Sequence, residues 1–271
     1  MTPVCATCGA WFPDADEPPT ACPICEDERQ WVPQDGQRWT TPDGVLEGRS
    51  ADVRELEPGL LGIGLAPSFA IGQRMLLVST ASGNVLWDMI PALPEEALAA
   101  VRERGGASAI AISHPHYYAA ASAWSAALGD VPVVLHAADA EWVTRPHATI
   151  EHWHGDVREL PGGLTLLRLG GHFPGATVLH WRDGAESRGG LLSGDVVMAV
   201  PDRGVSFMWS YPNLVPLPAS EVERIGMALA PWPFERIYGA WWDRVVPAGA
   251  KDAVRRGVAR YTAALRGELP L

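Results

Sequence analysis

The stretch Ser113-His114-Pro115-His116-Tyr117-Tyr118-Ala119 directly follows an apolar run at positions 109 to 112. Such a run is typical of a buried strand, so the loop after it lies at the carboxyl end of that strand. A loop in this place can turn two histidines, spaced by two residues, toward one point. Because imidazole nitrogen is a common ligand of zinc and other transition metals, the stretch predicts a metal site at a sheet edge.

Three further stretches also place polar residues at the ends of apolar or glycine-rich runs. They are Asn84-Val-Leu-Trp-Asp88, Gly170-Gly171-His172-Phe173-Pro174-Gly175 and Leu191-Leu192-Ser193-Gly194-Asp195. The glycines around His172 allow close backbone approach, and the apolar run before Asp195 presents that carboxylate at a sheet edge. Three imidazoles and one carboxylate suit zinc, and they also accept iron or manganese.

Taken in order, the four stretches resemble the core of the metallo-β-lactamase superfamily, over roughly residues 50 to 250. The resemblance implies an α/β fold, namely a four-layer αββα sandwich. It also implies four metal ligands, His114, His116, His172 and Asp195. In the superfamily, the aspartate that corresponds to Asp88 holds the metal-binding loop rather than the metal, so we expect the same role here.

The sequence departs from the superfamily pattern at the second metal position, where H-x-H-x-D-H is usual. Tyr118 stands in place of the aspartate, and Ala119 stands in place of the last histidine. The late stretch Tyr238-Gly239-Ala240-Trp241-Trp242 also lacks the histidine that the superfamily carries there. The resemblance therefore implies a single pocket metal, with zinc expected and iron or manganese as alternatives, and it argues against a two-metal mechanism.

A zinc ion held by three histidines can lower the pKa of its bound water to about 7 and so supply hydroxide. The sequence accordingly predicts a hydrolase that uses one metal-bound hydroxide on a small acyl or ester-type substrate. Asp195 and Tyr118 are the candidate catalytic residues, as proton acceptor and as hydrogen-bond donor. Two alternatives stay open: a noncatalytic ligand-binding protein on a degenerate scaffold, and an iron- or manganese-dependent enzyme of another class.

Aromatic residues are expected to line the pocket. Trp241 and Trp242 would fill the volume of the missing second site, which favours an apolar or aromatic ligand group. Trp209 and Tyr211 belong to the aromatic stretch 205–214, which follows the strand that ends at Asp195. That stretch would either shape the pocket or form an oligomer contact, so a homo-oligomer stays open.

All four cysteines lie in the first 25 residues, as Cys5-Ala-Thr-Cys8 and Cys22-Pro-Ile-Cys25. Two such pairs supply the four thiolates of a structural zinc site, as in a zinc ribbon. Iron in a rubredoxin-like site and a pair of disulfides are the alternatives, and a reducing compartment disfavours disulfides. We expect a ribbon domain at 1–40 and a main domain at 45–271, with a turn-rich linker at 31–48.

Charge and composition exclude several kinds of partner. The 271 residues carry a net charge of −11, which disfavours binding to nucleic acid or anionic membranes. Arg29 is the only basic residue in the first 30, among six acidic ones. The first residues show no pattern typical of a signal peptide, and no apolar run reaches about 18 residues, so neither a signal peptide nor a membrane span is expected. We therefore expect a cytoplasmic protein that binds a small-molecule substrate, and neither nucleic acid nor membrane.

Three other histidines compete for a metal role. His136 ends an apolar run and is expected to be structural. His152 and His154 form a second H-x-H, but the charged residues and glycine around them predict an exposed strand or turn.

Overall fold

The computed structural model describes residues 1–270, which form two compact units: Met1–His154, and the remainder from Gly155 onward. Each unit contains one large β-sheet and its own helices. The α/β class predicted from the sequence is confirmed. The predicted domain boundary near residue 40 stays a prediction, because the compact unit that holds the four cysteines extends to His154.

The first unit has a two-stranded sheet near the N-terminus and a seven-stranded sheet. Its strands are β1 (Val4–Cys5), β2 (Trp39–Thr40), β3 (Ser50–Glu57), β4 (Leu60–Ala66), β5 (Met75–Val78), β6 (Val85–Trp87), β7 (Ala109–Ala111), β8 (Val133–His136) and β9 (Ile150–Trp153). The large sheet runs in chain order from β3 to β9, antiparallel up to β6 and parallel from there. Strands β5 to β8 are buried apolar runs, as expected where both faces of a sheet are covered.

The helices of the first unit include the crossovers that parallel strands require. They are α1 (Pro23–Glu26), α2 (Pro42–Leu46), α3 (Glu95–Glu103) and α4 (Ala121–Ala127), with 3₁₀ helices at Pro115–Tyr117 and Ala137–Trp142. Helix α3 joins β6 to β7, and α4 joins β7 to β8. The short helix Pro115–Tyr117 begins four residues after β7 ends at Ala111, with proline at its first position, where the missing N–H costs nothing.

The second unit has a six-stranded sheet in the order β10-β11-β12-β13-β16-β17 and a two-stranded pair, β14-β15. Its strands are β10 (Val157–Leu160), β11 (Leu164–Arg168), β12 (Thr177–Trp181), β13 (Gly190–Gly194), β14 (Met198–Ala199), β15 (Val205–Ser206), β16 (Arg236–Gly239) and β17 (Val245–Val246). Its helices are α5 (Gly184–Ser187), α6 (Ala219–Leu229) and α7 (Ala250–Leu265). Strands β13 and β16 are parallel, and the other neighbours in the large sheet are antiparallel.

Two sequence predictions are corrected by the structure. The segment 31–48 is not a simple linker, because β2 pairs with β1 and Thr41 caps helix α2 through Gly44 N at 3.2 Å. The apolar run at 190–199 also predicts a single strand, but strand β13 is shorter than this prediction. It ends at Gly194, where the chain turns through a hydrogen bond from Val196 N to Ser193 O at 3.0 Å.

The cysteine-bearing segment, residues 1–40, packs against later residues of the first unit. Thr144 Oγ1 donates to Trp11 O at 2.8 Å, and Arg145 donates to Phe12 O at 2.9 Å. The partly buried Trp142 packs against the buried residues around the cysteines. Across residues 1–270, no helix combines the length and the apolarity that crossing a bilayer needs.

Candidate metal centres

The cysteine cluster consists of Cys5, Cys8, Cys22 and Cys25, all buried, with their sulfurs within 4.8 Å of one another. The Sγ atoms of Cys5 and Cys25 are 3.5 Å apart, and those of Cys8 and Cys22 are 3.7 Å apart. These separations are far beyond the ~2.05 Å of a disulfide bond, and all four thiols are free. The disulfide alternative is therefore wrong for this structure.

Hydrogen bonds among these thiols shift their pKa values in opposite directions. Hydrogen bonds from Cys22, Cys25 and Cys8 hold the pKa of the Cys5 thiol below its usual range. Hydrogen bonding with Cys22 instead raises the pKa of Cys8 and of Cys25. Thiolates packed this closely repel one another, and a divalent cation removes that repulsion. The donor set and spacing fit a structural zinc ion.

His114 is oriented by two neighbours in the first unit. Asp88 Oδ1 accepts from Ser113 N at 2.8 Å and from the Ser113 hydroxyl at 2.7 Å. Since the hydroxyl hydrogen is used in this way, Ser113 Oγ accepts from His114 Nδ1, which lies 2.9 Å away. The hydrogen bond fixes the tautomer with the proton on Nδ1 and leaves Nε2 as the nitrogen able to bind a metal.

His116 lies on the short helix Pro115–Tyr117 and is buried. Its ring centroid is 5.0 Å from that of His114, in an edge-on arrangement. The buried ring of Tyr117 packs on His114 at 4.5 Å between centroids. Tyr117 is therefore the tyrosine that packs against a metal-binding histidine. The superfamily motif draws attention only to Tyr118.

His172 is oriented by the aromatic stretch that follows β15. Its Nδ1 lies 2.8 Å from the carbonyl of Trp209, which can only accept, so this nitrogen carries the proton and Nε2 is left to bind a metal. The ring of Tyr211 stands edge-on to His172, with centroids 5.7 Å apart. The predicted pocket residues Trp209 and Tyr211 thus contact His172, one through its backbone and one through its ring.

Asp195 lies just past β13, where the parallel neighbour β16 also ends. Its backbone carbonyl accepts from the Tyr211 hydroxyl at 2.6 Å. Burial raises the pKa of Tyr211, and the negative charge of Asp195 adds to the shift, so the tyrosine stays a donor. Tyr211 therefore ties the turn at Asp195 to the loop that orients His172.

The His/Asp cluster is formed by one ligand atom from each of His114, His116, His172 and Asp195, and these atoms lie within 4.8 Å of one another. All four residues are at most 5% exposed. Burying three imidazoles and a carboxylate this close together is costly without a cation to bind. Nitrogen ligands with one oxygen match what zinc accepts, so the donor set fits one zinc ion.

The other predicted site residues have different surroundings. Tyr118 is buried and lines a cavity of about 20 Å³ with Leu135 and His147. Burial raises the pKa of its hydroxyl, and Asp139 adds to this shift. Trp241 and Trp242 follow β16 and are partly buried.

His136, His152 and His154 have the surroundings that the sequence predicts. His136 Nδ1 accepts from Ala138 N at 3.1 Å, and its ring packs on Trp153, so it caps the 3₁₀ helix that follows. His152 and His154 are exposed and belong to no cluster of metal-binding side chains within residues 1–270.

No protein-family model matches this chain. The Bacillus subtilis (strain 168) protein YmaE, which is described as uncharacterised, is 44% identical over 269 residues, and the alignment covers 98% of this chain and 97% of YmaE. The chain is thus similar to YmaE from end to end.

Solved structures provide a second comparison. The DIM-1 metallo-β-lactamase superposes with a TM-score of 0.61 at 12% identity, covering 80% of this chain and 98% of that one. A metallo-β-lactamase from Pontibacter korlensis gives 0.56 at 14% identity, covering 78% and 98%. One from Cronobacter sakazakii, described by a HARLDQ motif, gives 0.51 at 17%, covering 81% and 94%.

Proposed function

Because the chain belongs to the family of the Bacillus subtilis protein YmaE and has the metallo-β-lactamase fold, we propose that it is a metal-dependent hydrolase. The observation that carries this proposal is the His/Asp cluster, whose four buried ligand atoms lie within 4.8 Å of one another. We propose one zinc ion there and a second, structural zinc ion in the cysteine cluster. The four free cysteines also support a cytoplasmic location, where thiols stay reduced.

A zinc ion held by His114, His116 and His172 would supply Lewis acidity, which makes a water molecule nucleophilic near neutral pH. The protein prepares the ligands for this ion in advance. Ser113 and the Trp209 carbonyl hold the protons of His114 and His172 on Nδ1. Asp195 either completes the ligand set or accepts the proton that the water releases.

The side chains around the metal-binding loop support a single ion. Ala119 has no donor atom. Tyr118 lines a cavity beside Leu135, and its raised pKa keeps the hydroxyl protonated. A tyrosine in this state is a poor metal ligand, so a second ion would lack the carboxylate and imidazole that two-metal hydrolysis needs. The proposed chemistry therefore needs only one ion, and Tyr118, which stays protonated, keeps its proposed role as a hydrogen-bond donor.

A small acyl compound, an ester or a thioester, is the proposed substrate class. The solved relatives are named metallo-β-lactamases, and a β-lactam is a cyclic amide, so attack on an acyl carbon is chemistry that this fold supports. The aromatic ring of Tyr211 near His172 would favour an apolar or aromatic acyl group, and we propose the same for Trp209, Trp241 and Trp242.

Metal content tests the proposal directly. We expect about two zinc ions per wild-type chain by elemental analysis and one in H116A, because the variant loses a ligand of the His/Asp cluster. H152A is the matched control: it removes an exposed histidine of the second H-x-H and should keep both ions. A wild-type protein with a single ion that H116A retains would refute a metal at the His/Asp cluster.

The activity test uses nitrophenyl esters and short acyl thioesters as probes. We expect zinc-dependent turnover in the wild type and in H152A, and only background hydrolysis in H116A. Full occupancy of the His/Asp cluster without turnover of any acyl probe would favour a noncatalytic binding protein. Iron or manganese in that cluster would favour an enzyme of another class.

A further inference from the structure

The buried segment 88–92 connects the end of β6 to α3 and is held by side chains from three other parts of the first unit. Its carbonyls lie outside the sheet ladder, and three of them accept from side-chain donors. The pairs are Gln73 Nε2 to Met89 O at 3.0 Å, Trp124 Nε1 to Ala92 O at 2.9 Å and Trp11 Nε1 to Pro91 O at 2.9 Å. Such bonds fix the position of a chain segment that has no secondary structure of its own.

One of these donors belongs to the cysteine-bearing segment. Trp11 is 6% exposed and comes directly after the turn in which Cys5 N donates to Ala10 O at 2.9 Å. The turn also touches segment 88–92 through its backbone. A Cβ atom placed on Gly9 would lie only 2.7 Å from Pro91 Cβ. The conformation of the turn from Cys5 to Ala10, which contains the first two cysteines, therefore determines where Trp11 and Pro91 meet.

The other end of segment 88–92, at Asp88, hydrogen-bonds to Ser113 at the start of the metal-binding loop (residues 113–119). Asp88 has a φ of +57°, a left-handed conformation that a non-glycine residue keeps only when its surroundings hold it. Its carboxylate accepts both hydrogen bonds from Ser113, which in turn accepts from His114 Nδ1. A shift of segment 88–92 would therefore change the orientation of His114.

We propose that the cysteine cluster positions the His/Asp cluster, with Trp11 as the positioning residue that transmits the effect through segment 88–92. The proposal rests on the proposed function in one respect, namely that His114 binds a metal. It assigns the N-terminal zinc site a role beyond stabilising its own segment. Removing the Trp11 hydrogen bond alone should loosen the Asp88–Ser113 contact while the zinc of the cysteine cluster stays bound.

The test compares W11F with W39F. Trp39 also packs on the cysteine cluster, as a T-shaped partner of Phe12, so the control makes the same substitution in the same segment. Two quantities are measured: hydrogen exchange of the Ser113 amide, which donates to Asp88, and the dissociation constant of zinc at the His/Asp cluster. We expect W11F to speed exchange about tenfold and to weaken zinc binding about tenfold. W39F should match the wild type in both.

Equal Ser113 exchange in W11F, W39F and the wild type would overturn the inference. If W11F is poorly folded, 3-benzothienylalanine at position 11 keeps the ring shape and removes only the N–H donor, and the same comparison applies. The exchange measurement does not need a metal at the His/Asp cluster. A wild-type cluster that binds no zinc would thus refute the proposed function, while Ser113 exchange would still decide this inference.

Discussion

The tautomer of a metal-binding histidine depends on the atom that hydrogen-bonds to its second ring nitrogen. For His114 that atom is Ser113 Oγ, whose own hydrogen is committed to Asp88. For His172 it is the carbonyl of Trp209. The histidines themselves could be predicted from the spacing of the motif. Their partners could not, because the Trp209 contact joins positions 37 residues apart and depends on where a loop carbonyl points in the folded chain.

At the residue scale, S113A should weaken zinc binding at the His/Asp cluster by about 10- to 100-fold, because the tautomer of His114 is no longer fixed. It should also lower the free energy of unfolding by about 1–3 kcal/mol, since buried hydrogen bonds are lost. Titration with zinc and urea unfolding measure the two effects.

S125A is the matched control for S113A. Ser125 is also a buried hydroxyl with two partners, Val131 O at 2.6 Å and Thr149 Oγ1 at 2.8 Å. It should show a similar loss of stability with unchanged zinc affinity. Equal zinc affinities in S113A and the wild type would contradict the tautomer argument.

At the scale of elements, hydrophobic periodicity and the positions of proline and glycine predicted the buried helices and strands well. Pro94 and the glycine pair at 105–106 predict a helix at 94–104, which is α3, and the pattern at 219–229 predicts a helix that matches α6 in full. The pattern from about residue 53 to 91 is β-like and so covers β3 only in part, and no pattern marks β10. Strand β3 reads Ser-Ala-Asp-Val-Arg-Glu-Leu-Glu, lies at the edge of its sheet and is largely exposed, so no apolar alternation marks it. Apolar residues mark a strand in the sequence because one or both of its faces are buried. An exposed edge strand has few buried positions, so it carries few such residues.

Strand β12 carries a group that should make stability depend on pH. His180 Nε2 donates to Pro233 O at 2.6 Å, and its ring is tilted against Trp232. Burial lowers the pKa of His180 below its usual value. In the unfolded chain a histidine takes up its proton near pH 6.5, before the folded one does, so protonation favours unfolding as the pH falls below about 6.5.

We therefore expect H180Q, which keeps a donor but cannot titrate, to lose less stability than the wild type between about pH 7.5 and pH 5.5. The measurement is the free energy of unfolding in urea at both pH values. H152Q, at an exposed position on β9, should follow the wild type. If the free energy of unfolding of H180Q falls with pH as steeply as that of the wild type, groups other than His180 control the loss of stability in acid.

At the scale of the whole molecule, the cysteine-bearing segment shares its core with the first unit. Trp142 packs on the cysteine cluster, and Arg29 lies over the Trp142 ring at 5.2 Å. Removing the ion from the cysteine cluster should therefore affect the whole unit up to His154, and not only the first 40 residues.

C22S tests this expectation. It should remove one zinc ion per chain and lower the melting temperature by at least about 2–4 °C, the shift that ~1 kcal/mol gives in a chain of this size. Calorimetry and limited proteolysis report the effect, and cleavage sites should appear beyond residue 40. Loss of zinc without any new cleavage beyond that point would contradict a shared core.

The contact between Gly9 and Pro91 also constrains how this chain can evolve. Gly9 has a φ of +81°, and a side chain at this position would strike the proline ring across the interface. The residue at position 91 thus limits which residues position 9 can carry. A lineage that acquires a side chain at position 9 would need a smaller residue at position 91, and it would still carry the strain of the left-handed backbone at position 9. Glycine should therefore persist at position 9 wherever proline stands at position 91.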